Sequence, residues 1–344
     1  MSIILSKKID THLLSVEGLT VHFVSEHGLI RAVDSIDLIV ERGQTFGIVG
    51  ESGSGKTVMA FSLLRLIRPP GRIVAGEIVL DGQSLNALSE REMADVRGPR
   101  MSMIFQDPAR RLNPVFTIGT QLAEIFQVHR GWEHSRAWRQ AIALFERVGI
   151  PDAAERAHAY PHELSGGQAQ RVMIALALAL EPDLLIADEP TTALDATIQA
   201  QILELMRSLQ QERNMAILLI THDMGVIAGM CERAAVMYAG HFVEQGEINQ
   251  IFHRPRHPYT QGLIASLPVK TEPGEKLPSI PGSVPDPAQL PTGCRFAERC
   301  TARSEYHLQI CGRDEPGLIE FWPGQSVRCW LYEEAPGHSP PLRP

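Results

Sequence analysis

"TFGIVGESGSGKT", Thr45 to Thr57, is the stretch on which the reading of this chain turns. Its last eight residues fit G-x-x-x-x-G-K-[ST], with a buried-type strand before the glycines and a helix-period segment, "KTVMAFSLLRLI", after them. Gly50, Gly53 and Gly55, with the small Ser52 and Ser54 between them, leave backbone N–H groups free to wrap a β-phosphate. The helix N-terminus adds partial positive charge. Lys56 would reach the β- and γ-phosphates, and the Thr57 hydroxyl would ligate Mg²⁺.

A triphosphate site also needs a carboxylate for the metal and a group that positions the attacking water. "LLIADE", Leu184 to Glu189, offers both at a strand end: Asp188 for the Mg²⁺ shell, Glu189 as general base. An apolar strand ending in acids is common, and it is the phosphate loop upstream that gives this one its meaning. His222 in "LLITHD" and Gln106 after "MSMIF" end two further strands. Strands of one parallel sheet present their C-terminal ends together, so His222 is expected near the γ-phosphate edge and Gln106 near the ion or the water.

Outward from the loop, residues 12 to 45 alternate apolar and polar positions, as short antiparallel strands do. Residues 117 to 157 turn helical. Strand–helix alternation then resumes with "DLLIADE", a helix over about 197 to 211, "AILLITHD" and "AAVMYAG", which argues for a helix-covered parallel sheet. Seven prolines fall between Pro268 and Gly293, predicting a linker without regular structure. The tail over 336–344, within the final "APGHSPPLRP", is expected to be disordered.

Bulk properties bound the function. A net charge of −8 gives the whole chain no basic footprint, so nucleic acid is not the expected partner. The longest apolar run, "VMIALALAL", is nine residues, against about 20 needed to span a bilayer. "MSIILSKKID" lacks the features of a secretory signal. The expectation is a soluble, cytoplasmic chain that serves any membrane through partners.

One more turn needs explaining: "LSGGQ", Leu164 to Gln168, a second glycine-rich turn in a chain with one phosphate loop. "GESGSGKT", "FQDP", "LSGGQ", "LLIADEPTTALD" and "THD", in that order, resemble the ATP-binding subunit of an ABC transporter over about residues 12 to 265. The resemblance implies an α/β P-loop NTPase (RecA-like) parallel sheet core, an antiparallel β subdomain and an inserted helical subdomain at about 107–165, within an ATPase domain over 1–267. It implies that Ser165, Gly166, Gly167 and Gln168 serve ATP held by a second ATPase subunit, in a head-to-tail dimer that ATP closes and hydrolysis reopens. "ALD", Ala193 to Asp195, would lie at the dimer seam. Phe23, or its neighbour His22, matches the aromatic that stacks on adenine.

"YPHELSGG", "ADEPTTALDATIQAQI", "HRPRHPYTQGL" and the tail cysteines resemble the dipeptide and oligopeptide importer branch. That implies a peripheral protein on the cytoplasmic face of the inner membrane. Its partners would be a second, non-identical ATPase, two permease chains and an extracytoplasmic solute-binding protein. Importers of other small solutes, such as nickel, share much of the pattern, and a soluble ABC ATPase outside transport is the remaining alternative. Arg110 and Arg111 depart from the small polar residues usual after "FQDPA", in a loop near the permease-docking region.

Cys294, Cys300, Cys311 and Cys329 form C-x5-C-x10-C-x17-C in an extension over 294–335, while Cys231 stands alone. Four thiolates suit tetrahedral Zn²⁺ or a [4Fe–4S] cluster, and the missing C-x2-4-C pairs tilt toward the cluster. The resemblance points the same way, although the second gap is longer than usual in that branch. Unligated buried thiols are the bland alternative.

Overall fold

The computed structural model describes residues 12–26, 28–192, 194–267 and 278–342, with the side chain of residue 109 left out. Two sheets organise it. The first is antiparallel, in the order β2-β1-β4-β5, from β1 (His12–Ser25), β2 (Gly28–Glu41), β4 (Gly71–Leu80) and β5 (Gln83–Ser84). The second has eight strands in the order β11-β12-β10-β9-β3-β8-β7-β6. Its parallel part is β3 (Thr45–Val49), β6 (Met101–Ile104), β7 (Leu184–Asp188), β8 (Ala216–Thr221) and β9 (Arg233–Tyr238). Three antiparallel strands complete it: β10 (His241–Glu247), then β11 (Ile319–Trp322) and β12 (Gln325–Val327) from the cysteine-rich extension.

Every residue of β3, β7 and β8 is buried, as expected for strands covered on both faces. The pleat sorts their side chains into two cores. Phe46, Ile48, Leu184, Ile186, Leu218 and Ile220 face the antiparallel sheet and α1 (Lys56–Leu63). Val49, Leu185, Ala187, Ile217 and Leu219 face the helices instead. A short helix, α2 (Glu90–Val96), opens with a Ser89–Glu92 capping box and precedes β6.

The helical insertion runs through α3 (Pro108–Arg111), α4 (Ile118–Arg130), α5 (His134–Arg147) and α6 (Ala153–Arg156). It leads to α7 (Gly166–Leu178), whose Ser165 N-cap forms a capping box with Gln168. After β7 comes α8 (Ala196–Arg213), close to its expected span. Then α9 (Met224–Met230), α10 (Ile248–His253) and α11 (Pro258–Ala265) flank the sheet, and α12 (Thr301–Glu305) lies in the extension.

Three expectations need correction. The helix after the phosphate loop stops at Leu63 rather than continuing to Ile67: Arg65 takes a left-handed φ of 52°, and its guanidinium turns to the carbonyls of Leu85 and Leu88. The proline-rich stretch has no helix or strand in its described part, 278–293, yet it is not a free spacer. Ile280, Val284 and Leu290 pack on the main core. The end of the chain, expected to be disordered, folds back through residue 342: His338 bonds the Trp330 carbonyl at 2.8 Å, and Leu342 N–H donates to Leu331.

Candidate active site

The C-terminal ends of β3, β6, β7 and β8 open on one side of the sheet, and each delivers one piece of the site. Between β3 and α1 the loop is shaped by glycine. Gly55 has φ +105°, and a Cβ there would stand 2.3 Å from the Ala32 carbonyl. A Cβ on Gly50 would stand 2.1 Å from the Met237 carbonyl. Neither place has room for a side chain.

Lys56 is buried inside the loop it follows. Its ammonium donates to the Gly50 carbonyl (2.7 Å), the Glu51 carbonyl (2.9 Å) and Ser54 Oγ (3.3 Å). Burial lowers its pKa, with Glu189, Asp188 and Glu51 opposing that shift. These are contacts that phosphate oxygens can replace.

Asp188 ends β7 with 1% exposure. Burial pushes its pKa up to about 6, the nearby Glu189 charge adds to this, and the Thr57 hydroxyl and Lys56 act against it. Its Oδ1 is buried without a hydrogen-bond partner. A buried carboxylate oxygen left open beside a threonine hydroxyl is the donor arrangement of a divalent-cation site.

Glu189 follows with a left-handed φ of 49°, held there by its N–H donating to the Ile220 carbonyl at 2.8 Å. Such strain in a non-glycine residue is characteristic of functional sites. Three side chains, each from a different element, fix its carboxylate. Gln106 Nε2 donates to Oε2 at 3.1 Å, Thr192 Oγ1 donates to the same oxygen at 2.8 Å, and His222 Nδ1 lies 3.3 Å from Oε1. Gln106, Glu189 and His222, which follow β6, β7 and β8 and span 83 residues from Gln106 to Glu189 and 33 more to His222, thus meet around one carboxylate.

A cavity of about 410 Å³ is lined by Ser52 to Val58, Gln106 and Glu189. Phe23 and Ile30 also line it, and His22 is not among the lining residues. Also absent from its lining is the "LSGGQ" turn. Ser165 to Gln168 instead cap α7, with Gly166 on a separate cleft of about 740 Å³ that it shares with Gln106, Asp107 and Thr192. Asp195 is the N-cap of α8, accepting from Thr197 and Ile198 N–H at 3.0 Å each. Ala193, of the expected dimer seam, lies outside the described residues.

Arg110 and Arg111 part ways. Arg110 is exposed and pairs with Asp107 at 2.9 Å, whereas the Arg111 guanidinium lies 5.4 Å from the Phe105 ring centre.

The four tail cysteines are free thiols in or against one small apolar core, with Ile310, Phe321 and Trp330. Burial raises the Cys329 thiol well above its ordinary value, the other three sulfurs add to this, and the Leu331 N–H opposes it. Burial also pushes Cys294 up to about 12 and Cys311 to about 11. Among the described residues, no group of three or more His, Cys, Asp or Glu is placed to hold a single metal ion. Cys231 is buried in the main core.

Sequence reasoning missed the residues that tie the extension to this site. Arg299 Nη1 and Nη2 donate to the two Glu51 carboxylate oxygens, at 2.8 and 3.0 Å, and Glu51 belongs to the phosphate loop itself. Tyr259 Oη accepts from Glu51 N–H at 2.9 Å. Pro285 and Pro287 line the cavity. Tyr259 falls within "HRPRHPYTQGL" and Glu51 within the phosphate loop, but no motif marks Arg299, Pro285 or Pro287.

Comparison with known proteins agrees with this geometry. The model of the ABC transporter family matches residues 33–192, and that of the oligopeptide/dipeptide transporter C-terminal region matches 243–306. The dipeptide transport ATP-binding protein DppD of Escherichia coli (strain K12) is 49% identical over 317 residues, 92% of this chain and 96% of that one. A putative peptide import ATP-binding protein of Brucella melitensis, BMEII0206, is 47% identical over 92% of this chain and 94% of its own. Among solved structures, the ATP-binding cassette MJ0796, a dimer in a post-hydrolysis state bound to ADP and Pi, matches with TM-score 0.62 and 27% identity. That match covers 68% of this chain and 98% of that one. Among the described residues no helix is long and apolar enough to cross a membrane. With its glycine loop, its carboxylate pair and its C-terminal region all accounted for, the chain belongs to the ATP-binding subunits of ABC transporters, in the branch that carries the oligopeptide/dipeptide C-terminal region.

Proposed function

We propose that this chain hydrolyses ATP to power uptake of dipeptides or oligopeptides, as one of two ATPases docked on the cytoplasmic face of the inner membrane. The observation that carries the mechanism is the separation of the two glycine turns: the cavity around Lys56 is not lined by Ser165 to Gln168. A second subunit therefore lends its own turn to this cavity, and this chain's turn serves the neighbour. The dimeric MJ0796 cassette supports that arrangement. For this branch a non-identical homologue is the favoured partner, alongside two permease chains and a solute-binding protein. Peptide as cargo rests on the names of the relatives, and nickel or another small solute is the alternative.

The residues divide the work. Lys56 exchanges loop carbonyls for phosphate oxygens, and the N–H groups of Ser52 to Thr57 cradle them. Phe23 stacks on the adenine. Thr57, Asp188 and Gln106 would hold Mg²⁺, whose positive charge offsets that building on the phosphates. Glu189 orients the attacking water and takes its proton, and His222 steadies that carboxylate beside the γ-phosphate. Exposed Val115, Phe116 and Val128 on the helical insertion, with Arg111 on the adjoining cleft, make that insertion the candidate permease-facing surface.

Glu189→Gln should keep ATP binding and lower turnover by about 10²-fold or more. Ser165→Arg should leave ATP affinity of the isolated chain intact while abolishing turnover in the assembled pair. Full turnover by a dilute monomer, unaffected by either change, would sink the shared-site mechanism.

The cysteines we assign to a [4Fe–4S] cluster. What supports this is four thiols in or against one apolar core, with backbone N–H groups of Phe296, Ala302, Arg303 and Leu331 directed at three of them. Iron and sulfide in equal amounts, with broad visible absorbance after anaerobic purification, is the expected result. Zinc without absorbance would overturn it.

A further inference from the structure

The proline-rich stretch reaches the nucleotide cavity by a built path. Ile280 packs against Gly262 of α11, and Arg299 Nε donates to the Pro281 carbonyl at 2.7 Å. Val284 anchors the next step in the main core. Asp286 then closes a turn, its Oδ1 accepting from Ala288 N–H at 2.9 Å and its carbonyl from Gln289 N–H at 2.9 Å. The turn lies against β2 through Arg31 N–H, which donates to the Pro287 carbonyl at 3.4 Å. Leu290 returns the chain to the core. Between these anchors, half-buried Pro285 and exposed Pro287 line the same cavity as Phe23, Ile30 and Arg31.

The lining of that cavity combines the phosphate loop with the apolar side chains of Phe23 and Ile30. Proline suits an apolar wall. Its ring offers hydrocarbon surface, it has no N–H to leave unsatisfied when a ligand excludes water, and its fixed φ lowers the entropy lost on ordering. Arg299, bonded at once to the strap at Pro281 and to the phosphate loop at Glu51, sets the distance between the two.

We propose that Pro285 and Pro287 form a second wall of the nucleoside subsite, supplied by this chain's own extension, so that affinity for the base and ribose depends on the strap. The proposal rests on reading the cavity as the ATP site, and the test separates the two. The full-length chain is titrated with MgATP and, separately, with magnesium tripolyphosphate, which has the phosphates and no nucleoside. For the P285G/P287G double variant the Kd for ATP should rise about tenfold, the loss of two apolar ring contacts, with that for tripolyphosphate unchanged. Asp286→Ala, which opens the turn and keeps both prolines, should give the same selective loss to a smaller degree.

Two outcomes overturn the proposal: no change for either ligand, or equal weakening of both, which would mean the strap acts only through the phosphate loop. Lys56→Ala should weaken both ligands. If it weakens neither, the cavity is not the ATP site, and the proposal falls with that reading.

Discussion

Replacing Arg299 by methionine is the sharpest probe of how the extension and the phosphate loop depend on each other. The arginine is 8% exposed and makes a two-pronged ion pair with Glu51, a bond to Pro281 and a contact with Tyr238 Oη at 3.3 Å. Removing one partner of a buried pair costs about 3–5 kcal/mol. Here the Glu51 side chain keeps 29% exposure, so water recovers part of the loss, and methionine keeps an aliphatic stem in place of the arginine's. A net destabilisation of about 2–3 kcal/mol follows. For a chain of this size that lowers Tm by roughly 3–4 °C. Thermal unfolding of the full-length chain measures it, and Glu51→Gln on top of Arg299→Met should restore part of the stability, because it removes the abandoned charge. A coupling of at least about 1 kcal/mol in that double-mutant cycle is the expected result. Strictly additive effects, or a Tm unmoved by Arg299→Met, would refute a direct tie between the two segments.

Other outcomes follow from geometry already described. Gly55→Ala forces a Cβ to within 2.3 Å of the Ala32 carbonyl at φ +105°, so it should abolish ATP binding and cost about 2 kcal/mol or more in stability, read by calorimetry and nucleotide titration. Phe23→Ala should weaken ATP binding while leaving kcat nearly unchanged at saturation, because stacking on the base is the same in the ground and transition states. For Asp34, burial alone would raise the carboxyl pKa, but the Arg295 hydrogen bond and charge outweigh it and leave the pKa below 3.8. The pair's contribution is therefore present above pH 3.8 and lost as pH falls through the lowered value. Wild type and Asp34→Asn should differ in stability at neutral pH and converge under strong acid, and a difference that persists there would contradict this.

The parts of the site that touch phosphate were readable because their chemistry forces a local pattern: glycines where the backbone must stand bare, a lysine at the helix start, acids at the end of an apolar strand. Glu189 could be named from that pattern, but its left-handed backbone could not. Its φ is set by a hydrogen bond to Ile220, 31 residues away in sequence and adjacent only through the sheet register. The strap shows the complementary failure. Seven prolines rule out a helix or a ladder, yet they say nothing about attachment, because a segment with no internal hydrogen bonds takes its partners from elsewhere. Here they come from Arg31 and Arg299. The Glu51–Arg299 pair spans 248 positions, and although Glu51 sits in the phosphate-loop motif, its position there is a variable one that specifies no partner. β11 and β12 were equally hidden: four and three residues long, they carry too little alternation to register as strands.

Because β12 pairs with β10, the cysteine-bearing region is stitched into the same sheet as the phosphate loop. Cutting the chain at about residue 293 would therefore not release an independent ATPase. It would bare the hydrogen-bonding groups of Glu244 and Gln245 that now meet Val327 and Ser326, and so create a sticky margin prone to self-association. It would also strip the buried Glu244 carboxylate of its Gln325 donor, now at 2.8 Å. A shortened protein that precipitates should be read as a torn sheet before it is read as a failed enzyme.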